Sequence, residues 1–347
     1  MTEGKEITIY DIAKRLNISA TTVSRGLKNH PAINKNTRKK IAEAAKELGY
    51  RSNTFASSLR SRKTNTIGVI APRLNSYFLA SVLAGMEDTA SRENYNLIIS
   101  QSLESSVKEI ANTHTMFNKR VDGLLVSLAY DTEDINHLQP FFKKKIPVVF
   151  FDRIHNHPDS TSIVIDNFKA AYEITKHLLD QGCRRVMHLS ASMLRNVYAD
   201  RYRGFKQALK DYKIPHDDKY LYISSLSEQA GVEAAEYILN MAPSQRPDAV
   251  FSANDTAAVH CMIRLKAAGV KIPEDIAFAG FNNDPISKVI EPNLTTVNYP
   301  GYIMGEAAVM SLLNNIRGIH SSQTTNLIML RSDIIVRDSS LKNKEGK

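Results

Sequence analysis

Short apolar runs alternate with amphipathic helical segments from Asn65 almost to the end of the chain, and this pattern limits the fold most. Successive runs begin about 25 residues apart, as in strand–helix–strand units. The predicted strands are 66–71, 96–102, 123–129, 147–152, 162–166, 184–190, 219–224, 248–253 and 275–280. Such alternation predicts parallel sheets covered by helices, and the number of strands favours two lobes. Ligands of such α/β lobes bind in the cleft at the carboxyl ends of the strands.

The net charge of +9 is confined to the first 65 residues. They hold 14 Lys and Arg and 5 Asp and Glu, whereas the other 282 residues hold 31 of each. A compact basic segment on a neutral body is typical of a polyanion-binding domain fused to another domain. A solvated basic tail is the alternative, but helical periodicity and capping residues in the segment argue against it.

The basic segment has the pattern of three short helices. Thr8 can cap the first helix, and Ser19 can cap the second, Ala20–Leu27, after a short turn. Asn34 can cap the third helix. Two short amphipathic helices joined by a three-residue turn predict a helix-turn-helix head within residues 1–49.

The second helix is predicted to enter the major groove of double-stranded DNA. Ala20 and Thr21 lie at its N-terminal tip, where Ala20 can meet a thymine methyl, and Arg25 can contact guanine with two hydrogen bonds. A solvated helix face is the alternative for Thr21 alone; Arg25 and the localised charge favour DNA. Short polar side chains that suit phosphate oxygens are Thr8, Ser19, Thr22, Ser24 and Asn34.

The run Thr8-Ile-Tyr-Asp-Ile-Ala-Lys-Arg-Leu-Asn-Ile-Ser-Ala-Thr-Thr-Val-Ser-Arg-Gly-Leu27 resembles the head of the lactose-repressor/galactose-repressor family of bacterial transcription regulators. Thr37-Arg38 and Leu48-Gly49-Tyr50 extend the resemblance, which continues through the rest of the chain. It implies a homodimeric repressor that binds a near-palindromic operator. It also implies a periplasmic-binding-protein-like core that takes a small-molecule effector (a sugar, sugar phosphate or sugar acid) and no cofactor.

Residues 50–64 link the head to the core and form a second candidate DNA element. The segment 50–63 has four bases and no acid, and it is too short to be a stable helix alone, so a flexible linker is the alternative. The resemblance implies that it folds on DNA and wedges Leu59 into the minor groove. Asn53 and Ala56 are the other matching positions.

Polar residues follow several predicted strands, where the two lobes would face each other. A turn or helix cap is the alternative for any one of them, but clusters on both lobes favour a shared ligand cleft. The residues themselves point to Arg153, Arg195, Asp255 and Asp284. The resemblance implies ligand contacts at Tyr77, Phe78, Asp152, Arg201, Asn254 and Asn282. Asn282 stands where the family commonly has aspartate, and with Arg195 and Arg201 this suits an anionic or phosphorylated sugar.

The predicted N-terminal lobe comprises 65–164 with 295–322, and the predicted C-terminal lobe comprises 165–294 with 323–340. The chain would then cross between lobes near 164, 295 and 323. We expect 294–299 to be a strand of the first lobe, 327–336 to finish in the second, and 341–347 to be a polar tail.

Several other classes of protein are disfavoured. The chain has no Gly-x-Gly-x-x-Gly, phosphate-loop, Gly-x-Ser-x-Gly or His-Glu-x-x-His pattern, so we predict no enzyme, catalytic residue or metal site. Cys183 and Cys261 cannot form a disulfide framework, and no apolar run approaches about 20 residues, so we expect a cytoplasmic protein. Gly301-x-x-x-Gly305 is predicted to serve close packing only. A secreted sugar-binding protein and an architectural nucleic-acid binder are the remaining alternatives.

Overall fold

The computed structural model describes residues 7–50, 63–319 and 327–342, and the chain divides into two compact units with their boundary between Thr64 and Asn65. The first unit contains three helices, α1 (Ile9–Leu16), α2 (Ala20–Leu27) and α3 (Lys35–Glu47). Its small core is built from side chains of all three helices, among them Ile12, Val23 and Ile41, which are fully buried. The predicted helix-turn-helix head is therefore confirmed.

The second unit contains two sheets of six strands each. The first sheet has the order β11-β5-β4-β3-β1-β2, and the second has the order β12-β10-β9-β8-β6-β7. The strands are β1 (Thr66–Ala71), β2 (Asn96–Gln101), β3 (Gly123–Val126), β4 (Val148–Phe151), β5 (Ser160–Ile165), β6 (Val186–Ser190), β7 (Leu221–Ile223), β8 (Ala249–Ser252), β9 (Ala277–Asn282), β10 (Thr295–Asn298), β11 (Leu327–Leu330) and β12 (Ile334–Ile335).

Helices follow most of these strands and cover both sheets. They are α4 (Tyr77–Arg92), α5 (Ser106–Asn118), α6 (Gln139–Lys143), α7 (Asn167–Asp180), α8 (Asn196–Asp211), α9 (Glu228–Leu239), α10 (Asp255–Ala267), α11 (Ile286–Val289) and α12 (Gly301–Ile316). All strand pairs are parallel except β10 with β12. Every residue of the central strands β3, β4 and β8 is buried, as expected for a parallel sheet with two covered faces. The predicted two-lobed α/β fold is thus confirmed.

Two strands lie in the opposite lobe from the one we predicted. We placed 294–299 in the first lobe, but β10 pairs with β9 of the second sheet. We placed 327–336 in the second lobe, but β11 pairs with β5 of the first sheet, and only β12 belongs to the second. The lobe limits at 295 and 323 were therefore wrong. An apolar run predicts that a strand exists, whereas the strand that it pairs with depends on contacts with residues far away in the sequence.

Helix α12 follows β10 back to the first lobe, where it packs on α4 and on the central strands. The two helices approach at glycines: a Cβ atom at Gly85 would lie 2.1 Å from the carbonyl oxygen of Tyr302, and one at Gly305 would lie 2.1 Å from that of Val82. The close packing predicted for Gly301-x-x-x-Gly305 is confirmed. Among the described residues, no helix is both long and apolar enough to span a membrane.

This contact predicts a stability loss on adding one methyl group. Gly305→Ala should destabilise the core by about 2 kcal/mol, because overpacking outweighs the gain of about 1 kcal/mol in helix propensity. Urea unfolding followed by circular dichroism measures the change. Ser91→Ala, at an exposed position of α4, is the control and should change stability by less than about 0.5 kcal/mol. Equal stability of Gly305→Ala and the natural chain would contradict the close approach.

Candidate functional site

Helix α2 turns one face into the head and leaves the other exposed. Val23 and Gly26 are buried, whereas Thr21 and Arg25 are exposed. Thr21 and Arg25 lie four residues apart, so they share one helix face. Ala20 and Ser24 are half-buried beside that face. The residues predicted to read bases therefore include the two that α2 presents to solvent most fully.

Three of the predicted phosphate-contacting residues cap helices. Ser19 Oγ accepts a hydrogen bond from the Thr22 backbone N–H at 3.1 Å, and Asn34 Oδ1 accepts one from Thr37 at 2.8 Å. Thr8 forms a capping box with Asp11 at the start of α1. The caps leave helix N-termini near the surface, where backbone N–H groups favour phosphate. The linker candidates Asn53, Ala56 and Leu59 lie outside the described residues.

The second candidate site lies where the two lobes meet, at the carboxyl ends of the strands. Residues with left-handed backbone conformations at these ends include Glu104 after β2 (φ 62°), Asp152 after β4 (φ 59°) and Asn282 at the end of β9 (φ 113°). Such conformations are unfavourable for residues other than glycine and concentrate at functional sites. They turn the chain sharply where a strand ends.

Arg153 joins the two lobes. Its Nη1 donates to Glu104 Oε2 of the first lobe at 2.7 Å, and its Nη2 donates to the hydroxyl of Tyr198 on α8 at 3.1 Å. Its guanidinium carbon lies 4.2 Å from the ring centre of Tyr130, whose hydroxyl is 3.2 Å from that of Tyr198. A carboxylate, a cation and two aromatic rings therefore form one buried cluster across the cleft.

The N-terminus of α8 makes a second connection between the lobes. Asn196 accepts a hydrogen bond from the Ile154 backbone N–H at 3.0 Å and donates to the carbonyl oxygen of Asp152 at 3.1 Å. Arg195, the N-cap residue of α8, donates from Nη2 to the carbonyl oxygen of Thr132. These bonds attach the start of α8 to the loops after β3 and β4.

Asp152 and Phe78 meet Tyr299, which follows β10. The Tyr299 hydroxyl donates to Asp152 Oδ1 at 2.8 Å, and its ring stacks on Phe78 with 4.2 Å between ring centres. Burial raises the pKa of Asp152. Tyr77, the other member of the predicted aromatic pair, is 58% exposed and takes no part in this stack.

Arg201 lies deeper in the second lobe. Its Nε donates to Asn167 Oδ1 at 2.9 Å and its Nη1 to the carbonyl oxygen of Ala253 at 2.7 Å. The guanidinium carbon is 3.6 Å from the ring centre of Phe281, a distance at which a cation–π interaction is favourable. Burial lowers the pKa of this arginine.

The remaining predicted residues line the edge of the second lobe. Asn254 caps α10 and donates to the carbonyl oxygen of Leu226 at 2.8 Å. Both oxygens of Asp255 are occupied within the lobe, by the Asp284 backbone N–H and the Thr296 hydroxyl, each at 2.7 Å. Burial raises the pKa of Asp284 to about 6, and its Oδ1 has no hydrogen-bond partner among the described residues.

Residues that were not predicted from the sequence also take part in this junction, among them Glu104, Tyr130, Asn196, Tyr198 and Tyr299. Glu104 and Tyr130 follow predicted strands, and this position in the sequence is the only signal that could have identified them as candidate cleft residues. Tyr299 had no such signal, because its strand was assigned to the other lobe. In the described ranges, no group of three or more His, Cys, Asp and Glu is placed to hold a metal ion.

The raised pKa of Asp284 predicts a pH-dependent stability difference. The folded state keeps this proton between about pH 4 and pH 6 while the unfolded state loses it, so the contribution of Asp284 falls by about 3 kcal/mol as the pH rises through this window. Asp284→Asn removes that contribution. The stability of the variant relative to the natural chain should therefore increase from pH 4 to pH 7 in urea unfolding.

The comparison between these two chains also cancels an opposite effect of His188. Burial lowers the pKa of this histidine to about 3, so its contribution to stability is lost as the pH falls below about 6.5. His188 is present in both proteins. A stability difference that does not vary with pH would contradict the buried position of the Asp284 carboxyl group.

Comparisons with known proteins agree with this arrangement. Residues 8–53 match the family described as bacterial regulatory proteins, lacI family, and 175–340 match the periplasmic binding protein-like domain. The chain is 33% identical to catabolite control protein A of Priestia megaterium over 307 residues, covering 88% of this chain and 91% of that protein.

Two solved structures are also similar. The lac repressor dimer bound to operator and an anti-inducer has a TM-score of 0.85 at 22% identity, covering 97% of this chain and 100% of that one. A LacI-family regulator from Enterococcus faecium with bound ribose has a TM-score of 0.70 at 25% identity, covering 80% of this chain and 100% of that one. Membership in a family of regulators also disfavours the enzyme alternative. The chain belongs to the lacI family of bacterial regulatory proteins and is a DNA-binding transcriptional regulator.

Proposed function

We propose that this chain is a homodimeric repressor whose affinity for a near-palindromic operator is controlled by a sugar or sugar derivative bound between the two lobes. The observation that carries the proposal is the buried polar junction around Asp152, Arg153 and Arg201, which joins both lobes of a chain that also has a helix-turn-helix head. A chain that only bound DNA would need no such junction.

The DNA half of the proposal rests on the exposed face of α2. Thr21 and Arg25 read base edges in the major groove, together with Ala20 at the helix tip. Phosphate oxygens are contacted by Thr8, Ser19, Thr22, Ser24 and Asn34, and the linker contributes Asn53, Ala56 and Leu59 in the minor groove. Each head of the dimer takes one half-site, so the two-fold axis of the protein coincides with that of the operator.

The effector half rests on the residues around the cleft. Carboxyl, amide and guanidinium groups beside aromatic rings are suited to the hydroxyl groups and apolar faces of sugars. The relative from Enterococcus faecium is described with bound ribose, which supports a carbohydrate in the cleft of this chain as well. Proposed effector contacts are Tyr77, Phe78, Asp152, Arg153, Arg195, Arg201, Asn254, Asp255, Asn282 and Asp284.

Effector and operator are coupled through the angle between the lobes. The linker precedes β1 of the first lobe in sequence, so a change in lobe closure can be transmitted to the linkers of the dimer. Such coupling is reciprocal and typically amounts to about 1–3 kcal/mol.

The proposal predicts distinct effects for two basic residues of the head. Arg25→Gln should weaken binding to the selected operator by about 1–3 kcal/mol and binding to scrambled DNA far less, because Arg25 contacts a base. Lys39→Gln removes the same charge from an exposed position of α3 and should weaken both by a similar, small factor. Fluorescence anisotropy at several salt concentrations measures both affinities.

The function as a whole is tested by selecting operators from random DNA and repeating the binding with a panel of sugars, sugar phosphates and sugar acids. An inverted repeat should be enriched, and one class of effector should change its affinity. The absence of any preferred inverted repeat would contradict the proposed function, and an affinity that no panel member alters would contradict its effector half.

A further inference from the structure

Three arginines are almost completely buried at the lobe junction. Arg153, Arg195 and Arg201 are 7%, 6% and 3% exposed. Arginine is rarely buried to this extent without a carboxylate partner. Arg153 has Glu104 at 2.7 Å and Asp152 at 4.0 Å, but within the described ranges Arg195 and Arg201 have no carboxylate oxygen within 4.0 Å.

Arg201 is accommodated without a carboxylate. Two of its nitrogens donate to oxygens of Asn167 and Ala253, and Phe281 covers its guanidinium face. Arg195 has less support, since the one hydrogen bond that its guanidinium group makes to the described residues is with the carbonyl oxygen of Thr132. Its Nε is buried without a hydrogen-bond partner among the described residues, and the same is true of Arg153 Nε.

The acidic groups near Arg195 are engaged elsewhere. Glu109 accepts hydrogen bonds from the Ala129 backbone N–H at 2.7 Å and from the Thr132 hydroxyl at 3.1 Å. Asp131 accepts from the backbone N–H and the hydroxyl of Ser106. Burial lowers the pKa of Arg195; the negative charge of Glu109 opposes this, and the positive charge of Arg153 lowers the pKa further.

The position of Arg195 adds to the positive potential. It is the N-cap residue of α8, a helix of 16 residues, whose dipole favours an anion at this end. Two guanidinium groups, one from each lobe, thus lie near a helix N-terminus in a desolvated place, and the Nε of each has no hydrogen-bond partner among the described residues, although Asp152 Oδ2 lies 4.0 Å from Arg153 Nε. A bound anion would form charge-assisted hydrogen bonds there and offset the buried charge.

We propose that the effector carries a phosphate or carboxylate group, which binds between Arg195 of the second lobe and Arg153 of the first. This inference rests on the proposed function, because it places the anion in the same cleft. An anion held by both arginines bridges the lobes and favours their closed arrangement. Arg201 and Asp152 are then left for the uncharged part of the effector.

The test measures the thermal unfolding of the full chain with inorganic phosphate, glucose 6-phosphate, gluconate or glucose, each against potassium chloride of equal ionic strength. Inorganic phosphate is the minimal probe and should raise the unfolding temperature beyond the chloride control. In Arg195→Gln, the phosphate concentration that gives half of this shift should rise at least about tenfold. Arg203→Gln removes the same charge from an exposed position of α8 and should leave that concentration unchanged.

Arg195→Lys keeps the charge but loses the Nε donor, so its half-shift phosphate concentration should lie between those of Arg195→Gln and the natural chain. If Arg195→Gln does not fold, Arg195→Lys takes its place in the comparison. The inference is overturned if no anionic probe exceeds the chloride control, or if phosphate stabilises Arg195→Gln and the natural chain equally. Stabilisation by glucose equal to that by glucose 6-phosphate also overturns it, yet leaves the proposed function intact. Failure of the proposed function would instead appear in the operator selection.

Discussion

The buried contact of Arg153 with Glu104 on one side and Tyr198 on the other is the interaction on which the arrangement of the core depends. A guanidinium group withdrawn from water must be paired and hydrogen-bonded, and the partners of Arg153 come from both lobes. Opening the cleft would break its bond to Tyr198 and bring water to the cluster. The lobes are therefore joined through the charge of Arg153, whose solvation changes when the lobes move apart. A ligand that binds one arrangement of the lobes better than the other would shift the equilibrium between them.

Other hydrogen bonds near Arg153 also join the two lobes. Asn196 attaches the start of α8 to the loop after β4, and Tyr299 attaches the segment after β10 to Asp152. The Tyr299 contact lies beside the place where the chain passes from β10 of the second lobe to α12 on the first. A ligand in the proposed cleft would act on contacts between the lobes, and β1, which follows the linker in sequence, belongs to the first lobe.

Much of the architecture was predictable from local pattern. Caps at Ser19 and Asn34, the helical periodicity of the basic segment and the succession of apolar runs predicted the head and the two-lobed core, because these features depend on residues close together in sequence. The positions of β10 and β11 were not predictable in this way. Their side-chain pattern is compatible with either sheet, and the choice was made by backbone pairing with β9 and β5 and by the packing of α12 on α4.

The sequence by itself determined where the charge lies, which helices are capped and which strands end in polar residues, since each of these is a property of neighbouring positions. It placed Asp152, Arg153, Arg195 and Arg201 near a cleft but did not pair them. Only the tertiary structure decided that Arg153 meets Glu104 and Tyr198, that Asp152 meets Tyr299, and that Arg195 has no carboxylate partner in the part of the chain described. Hydrogen bonds between residues 45 to 147 positions apart leave no periodic trace in a sequence, because they arise only when separate elements pack together.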